Sequence, residues 1–456
     1  MKTGLPTYGV FLGVGGIGMS ALARYFKQHG VTVWGYDKTP SALTDALANE
    51  GITVSFDDDV IAIPDEIKQN LANTWVIYTP AIPQQSVLKQ YFSASGADIM
   101  KRARLLGELS RGMDTFAIAG THGKTTSTTL AAWVLQNSQA KGNAFLGGIS
   151  GNFNSNLLLN NNSNKLVVEA DEFDRSFLTL APNVALVTAT DPDHLDIYKT
   201  EEAFLATFQD FANLVDTHGV LLVNEHANIK VSKAKLLRYG WEKSNDYYPI
   251  NCVYEARQST FDLVTPLGII SGFTLSMPGE HNVMNAVGVA AVMLQWGISA
   301  DEIKTAYSTF KGIKRRFEWI CELENGGAFI DDYAHHPKEL DAAISATRLM
   351  FPNKKVTGVF QPHLFSRTQD FVDGFAHSLA GLDQLFLLDI YPAREEPIIG
   401  VDSNWLLTKI KLSNKQLVAK QDLVAQVKES KPEVLLTLGA GDIDRMVNPL
   451  KEALLA

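Results

Sequence analysis

Cysteine is nearly missing from this chain: Cys252 and Cys321 are the only two in 456 residues. Standing apart, they exclude a disulfide framework and a cysteine-based zinc site, and they suit a reducing compartment. No apolar run approaches the roughly 20 residues of a membrane-spanning helix. A positive balance is absent too. Fifty acidic side chains against 40 basic ones give a formal charge of −10, which argues against nucleic acid as a partner. Any anionic ligand must then be held by local cations and helix N-termini. Five of the eleven residues 9–19 are glycine, too many for the apolar part of a secretory leader, and no small-residue cleavage site follows. Together these absences predict a cytoplasmic chain without membrane insertion. Repeats, heptads and charged tails are also missing. What remains is ordinary globular composition, 46% hydrophobic and 20% charged, enough for about three domains with separate cores.

The organising stretch is residues 116–130, FAIAGTHGKTTSTTL. It reads as a buried strand, a glycine-containing turn and a helix opened by Lys124-Thr125-Thr126. Such a junction cradles phosphates. Backbone N–H groups converge on phosphate oxygens, the lysine reaches the outer phosphates, and the first threonine hydroxyl binds Mg²⁺. The longer form of this pattern wants glycine six residues before the lysine, where Ile118 stands. The reading is an ATP site.

Ahead of it, a strand at 9–12 runs into Gly13, Gly15, Gly16 and Gly18, then a helix at 19–28 and a second strand ending at Asp37. That spacing puts an acid where a dinucleotide fold contacts ribose. On these residues alone NAD, another nucleotide diphosphate and a ligand-free tight turn all stay open. The basic helix containing Arg102 and Arg104 reads as a solvated face. Phe204, Phe208 and Phe211 fall at helical spacing and read as core. In the last third, apolar strands at 328–330, 356–360, 385–388 and 434–438 alternate with helices such as 337–350, predicting another parallel sheet.

Four further groups carry chemistry. A strand runs into Glu169, Asp171, Glu172 and Asp174, where one or two carboxylates suffice for Mg²⁺. A second strand ends in Asp191-Pro-Asp193-His194. Adjacent strand ends meet at the ligand crevice of an α/β sheet, so this turn joins the site. Gly279-Glu280-His281 opens a helix with Asn282 and Asn285 on one face, suited to hydrogen bonding a base such as adenine. Finally Arg315-Arg316 precedes Asp331-Asp332-Tyr333-Ala-His335-His336, whose adjacent histidines suit phosphate better than a metal. Nearby, His363 and Arg367 follow an apolar strand and could hold a carboxylate.

In order, the motifs Gly120-Thr121-His122-Gly123-Lys124-Thr125-Thr126, Glu169-Ala-Asp-Glu172, Asp193-His194, His281-Asn282-Val-Met-Asn285, Arg315-Arg-Phe317 and Asp331-Asp-Tyr-Ala-His-His-Pro337 resemble the Mur ligase family. Its members are ATP-dependent amino-acid ligases of peptidoglycan precursor synthesis. The resemblance implies three α/β domains: a Rossmann-like one at 1–109 for the UDP sugar, a central P-loop ATPase-like parallel-sheet domain at 110–313, and a Rossmann-like one at 314–456 for the amino acid. It turns the first glycine cluster and Asp37 toward UDP. It implies ATP contacts from the 120–126 loop, His281, Asn282, Asn285, Arg316, Asp332 and His335, and an Mg²⁺ site at Thr125, Glu169 and His194. Lys124, His194, Arg316 and His335 would carry catalysis, with Tyr333, His363 and Arg367 on the amino acid. The glycine cluster together with Gln361-Pro-His363 and Tyr391-Pro-Ala393 resembles the alanine-adding branch, implying ATP, UDP-N-acetylmuramate and L-alanine as substrates. Residues 201–215 hold no lysine, unlike many Mur ligases that carry a carbamoylated one there, but like that branch. Leu364 stands where the branch commonly has arginine. A recycling ligase that attaches a tripeptide to the same sugar nucleotide is the neighbouring alternative.

Overall fold

The structure, a computed structural model, describes residues 4–192, 195–230, 232–255, 257–393 and 395–456, with the backbone alone at Leu195 and Asp196. The chain divides into two compact units, Met1–Gly312 and Ile313–Ala456.

Among the described residues the first unit holds three sheets. Its leading sheet is parallel, in the order Thr53–Ser55, Thr32–Tyr36, Tyr8–Leu12, Thr74–Tyr78, Asp98–Lys101. In the central strand Val10, Phe11 and Leu12 are all buried, as expected where helices cover both faces of a parallel sheet. The strand ends at Gly13, and Gly16 opens helix Ile17–Gln28 with no side-chain cap on its first turn.

The second sheet runs Lys235–Tyr239, Val220–Asn224, Val184–Val187, Asp114–Ala119, Lys165–Glu169, Asn143–Phe145, Leu157–Leu158, antiparallel only at the last pair. From Asp114–Ala119 the chain passes through helix Lys124–Asn137 to one side of the sheet, then returns to build the other side. The reversal falls at that strand's C-terminal end, where open α/β sheets bind ligands. Three antiparallel strands follow, Tyr248–Tyr254, Ser259–Thr265 and Gly268–Leu275, and they bury Phe261 and Phe273 with Tyr307. Phe204, Phe208 and Phe211 on helix Glu201–Ala212 are fully buried, and Phe177 stacks on Phe211 at 4.8 Å. The core reading of that stripe is correct.

One buried polar network ties the first two sheets together. Arg24 grips Glu50 through Nε at 2.7 Å and Nη2 at 2.6 Å, and its Nη1 donates to Asn156 Oδ1. The Asn156 amide in turn donates to the Ile17 carbonyl at 2.6 Å and to the Ser20 hydroxyl at 2.8 Å. Asn156 has no solvent exposure, so its removal leaves several buried polar groups unmatched. Asn156→Ala is expected to destabilise the chain by about 3 kcal/mol, read as a lower urea midpoint at unchanged slope. An unchanged midpoint removes this network from the stability of the unit.

The described residues of the second unit form one sheet, in the order Glu318–Glu322, Ala328–Asp332, Val434–Leu438, Val356–Phe360, Gln384–Leu387, Lys415–Leu417. All pairs are parallel except the first, which is antiparallel. The sequence analysis placed the first strand of this region at 328–330 and so missed the edge strand ahead of it. Strand Val434–Leu438 is fully buried and serves both faces: Val434, Leu436 and Leu438 pack on one side, Leu435 on the other, and Thr437 is its one polar residue. No helix among the described residues is long and apolar enough to cross a membrane.

Candidate active site

The loop after Asp114–Ala119 has the backbone its glycines predict. Gly120 has φ +136°, and a Cβ there would lie 2.1 Å from the Thr188 hydroxyl. Gly123, φ +77°, caps helix Lys124–Asn137 in the left-handed region. Only glycine takes both positions without strain. Thr188, at the end of the neighbouring strand, bonds through its hydroxyl to the carbonyls of Ala119 and His122, and Thr121 N–H donates to the Ala189 carbonyl at 3.2 Å. The loop is therefore shaped by its own sheet. His122 is exposed, with Nε2 3.8 Å from Asp191 Oδ2. Thr126 lies half-buried in the helix's first turn.

Lys124 and Thr125 face the end of strand Lys165–Glu169. Thr125 Oγ1 donates to Glu169 Oε1 at 3.1 Å, and Lys124 Nζ contacts Glu172 Oε1 at 2.8 Å and donates to the Gly120 carbonyl. Burial works to lower the lysine's pKa, but Glu172 and Glu169 outweigh it and hold the ammonium above its ordinary value. Lys124 is therefore charged. The loop, the threonine hydroxyl and the carboxylates fit a nucleotide with a divalent cation, since hydroxyl and carboxylate oxygens are the hard ligands Mg²⁺ takes. The second oxygen of Glu172 is buried and accepts nothing, an acceptor left over inside the site. Among the described residues no three His, Cys, Asp or Glu side chains form a metal cluster. Asp193 and His194, the latter expected at the metal, lie outside the described residues.

Helix Glu280–Gln295 brings its asparagines beside the loop. A Cβ on Gly123 would meet Asn285 Oδ1 at 2.4 Å. Asn282 is buried and donates to the Pro278 carbonyl at 2.7 Å. His281 is exposed in the first turn.

The amino-terminal glycines open onto the same region. A cavity of about 250 Å³ is lined by Gly16, Gly18, Arg102, Phe145, Gly147 and Glu169, among others. It runs from the first glycine turn to the carboxylate beside Thr125. Gly13, φ +88°, packs against Thr79, and Gly18 against the Arg102 guanidinium. Asp37 braces the turn: its Oδ2 accepts Gly15 N–H at 2.8 Å and its Oδ1 accepts Thr39 N–H at 3.2 Å. Arg102 corrects the sequence reading. Arg104 is the solvated cation expected, but Arg102 turns into the cavity, with Nη2 3.5 Å from Asp171. Helical phase distinguishes the two, and the motif pattern carried no signal for it.

In the second unit, the residues after the parallel strands gather at one end of the sheet. Asp332 accepts Phe317 N–H at 2.6 Å and Ala334 N–H at 2.7 Å, and burial pushes its carboxyl up to about 6 against the pull of Arg316. Arg315, at φ +62°, bonds Asp331 and the carbonyls of Gly439 and Gly441. Arg315 and Arg316 both lie over the Tyr333 ring, at 5.1 and 5.5 Å. His335 Nδ1 lies 3.0 Å from the Tyr333 carbonyl and 3.2 Å from Glu339. Two acceptors at Nδ1 place the ring proton there and leave Nε2 with its lone pair. Burial, with Arg367 and Arg316 near, lowers the His335 pKa despite Glu339, so the imidazole is neutral at neutral pH. His363 lies 6.1 Å from His335 and stacks on Tyr391 at 5.8 Å, and Arg367 Nη1 is 3.4 Å from His363 Nδ1. Leu364 holds φ +71°, an unfavourable region for a branched side chain. Glu339 and Tyr391 were not singled out as site residues; Glu339 completes the capping box at the start of helix Pro337–Met350.

A phosphate-binding loop at the switch point of one parallel sheet, opening onto the glycine turn of another, defines a P-loop nucleotide-binding protein of several α/β layers. Comparison with known proteins narrows this. Residues 10–113 match "Mur ligase family, catalytic domain", residues 118–293 "Mur ligase middle domain" and residues 315–441 "Mur ligase, glutamate ligase domain". The chain belongs to the Mur ligase family. It is 45% identical to the UDP-N-acetylmuramate–L-alanine ligase of Christiangramia forsetii, over 98% of this chain and 97% of that one. It is also 45% identical to the enzyme of the same name from Parabacteroides distasonis, over 97% and 96%. Among solved structures, the UDP-N-acetylmuramate–alanine ligase of Thermotoga maritima superposes with a TM-score of 0.82 at 25% identity, covering 98% of each chain. A murein peptide ligase from Psychrobacter arcticus shares the fold, with a TM-score of 0.71 at 21% identity over 98% of each chain.

Proposed function

We propose that this protein joins L-alanine to the lactyl carboxylate of UDP-N-acetylmuramate, at the expense of ATP. The observation that carries the reading is the cavity running from Gly16 and Gly18 to Glu169. It gives an extended sugar nucleotide a path from its diphosphate-binding turn to the phosphoryl-transfer loop. The near-full-length relatives support the choice of substrates. The carboxylate oxygen takes the γ-phosphoryl group, releasing ADP. The amine of L-alanine then attacks the acyl phosphate, the C–O bond to phosphate breaks, and amide, phosphate and a proton leave.

The chain's own groups suit these steps. Lys124 and the backbone N–H groups of the 120–126 loop bind the phosphates and neutralise charge as it builds. Thr125 and Glu169, with His194 assigned by motif, would hold Mg²⁺, which when bound shields the phosphate oxygens from the incoming carboxylate. Asn282 and Asn285 take the base, and Arg102 adds a cation to the cavity wall. By the same motif match Arg316, Asp332 and His335 are assigned to the nucleotide. Arg367 and His363 suit the carboxylate of the amino acid. The neutral His335, with its lone pair at Nε2, can accept the amine's proton.

The test is phosphate release from ATP with UDP-N-acetylmuramate and L-alanine, L-serine, glycine or an L-alanyl tripeptide in turn. Release fastest with L-alanine is expected. Preference for the tripeptide would make this the recycling enzyme, and release independent of any amine would overturn ligation altogether.

A further inference from the structure

Glu172 is among the most buried carboxylates of the chain, with 2% of its side chain exposed. Its backbone is fixed by the Tyr198 hydroxyl, which donates to the Glu172 carbonyl, and by Arg175 N–H, which donates to the same carbonyl at 2.9 Å. Immediately afterwards Asp174 and Arg175 sit at φ +52° and +54°. The chain therefore accepts two unfavourable residues to complete this turn. One carboxylate oxygen contacts Lys124 Nζ at 2.8 Å, and the other is buried with no partner. Lys124 reaches back at the same time to the Gly120 carbonyl. A lysine so placed has both its charge and its reach engaged inside the loop. A triphosphate entering the loop needs that same ammonium.

We propose that Glu172 is the resident counter-ion of the phosphate-binding lysine: it holds Lys124 folded back while the loop is empty, and nucleotide binding transfers the ammonium from Glu172 to phosphate. This rests on the reading that the loop takes ATP. The physical need is plain, since an unpaired ammonium at this depth is costly and a charged partner offsets the cost. The competition follows from the same fact. Part of the lysine's attraction for phosphate is spent on leaving Glu172, and a buried negative charge remains beside the incoming anion. Glu172 is thus a positioning residue that keeps Lys124 charged, oriented and releasable. It makes the affinity for bare nucleotide weaker than the loop alone would give.

The test is binding of ADP to the full chain by calorimetry, with and without Mg²⁺, for wild type, Glu172→Gln and Glu172→Asp. Glu172→Gln keeps the shape and removes the charge, and Glu172→Asp keeps the charge and shortens the reach. Metal-free ADP is expected to bind about tenfold more tightly to Glu172→Gln, with Glu172→Asp between it and wild type. Unchanged metal-free affinity in both variants overturns the proposal. So does weaker binding confined to Mg²⁺-ADP, which would make Glu172 a metal ligand, and so does weakening in both conditions, which would make it a structural support of the loop. Wild-type protein that binds no ADP overturns the ATP reading itself, a result distinct from each of these. If Glu172→Gln does not fold, Glu172→Asp decides alone: tighter metal-free binding than wild type supports the proposal, and equal or weaker binding overturns it.

Discussion

Lys124→Ala is expected to abolish ligation, a loss of at least about 10³-fold in rate, while UDP-N-acetylmuramate still binds. Phosphoryl transfer offers a protein little covalent chemistry, so catalysis depends on positioning and on neutralising phosphate charge. Lys124 is the cation at the mouth of the loop, and its neighbours Glu169 and Glu172 are acids that cannot replace it. The turn proposed for the sugar nucleotide, Gly13 to Gly18, follows a strand of a different sheet, so affinity for that substrate should be retained. The substitution has a structural consequence as well. It leaves Glu172 buried without its ion pair, so a lower melting temperature accompanies the loss of rate. Lys124→Met combined with Glu172→Gln removes both charges, and it should recover stability but not activity. Calorimetry of UDP-N-acetylmuramate beside a turnover assay checks both halves. Turnover near wild type in the alanine variant would sink the phosphate role of Lys124.

Glu169→Ala is expected to cost about 10²-fold or more in rate and to raise the Mg²⁺ concentration needed for half-maximal activity. The carboxylate ends the strand beside the central one and meets Thr125 Oγ1 at 3.1 Å. A Cβ on Gly147 would collide with it at 2.1 Å. Glycine at 147 is therefore what lets this acid lie against the cavity wall. His194→Ala, at the position the motif match assigns to the metal, is expected to shift the same titration. The readouts are an Mg²⁺ titration of rate and the dependence of ADP affinity on Mg²⁺. If both curves in both variants superpose on wild type, neither residue serves the metal.

The P-loop was legible because a local sequence makes it. Strand, glycines and helix are consecutive, and the left-handed backbone at Gly123 needs no distant partner. The same holds for the first glycine turn and for the apolar strands of the second unit. Other features were illegible for equally physical reasons. Edge strand Glu318–Glu322 is a short run set off by no turn signal from the basic residues before it, and its antiparallel pairing with Ala328–Asp332 is a tertiary feature. Arg102 and Arg104 look alike in sequence, and only the packing of their helix turns one into a cavity and the other into solvent. The hydrogen bonds that Asp37 accepts from the Gly15 and Thr39 N–H groups likewise depend on the strand order that sets it beside the glycine turn.

By itself, then, the sequence determined the class of chemistry: a phosphate loop, carboxylates at strand ends and an α/β frame, all set by short-range patterns of turn residues and burial. The tertiary structure alone decided which charges face one another. Lys124 and Glu172 are 48 residues apart, Arg24 and Asn156 132 apart. Partners so distant are chosen by strand order and helix phase, and a buried charge must find one wherever the fold has placed it.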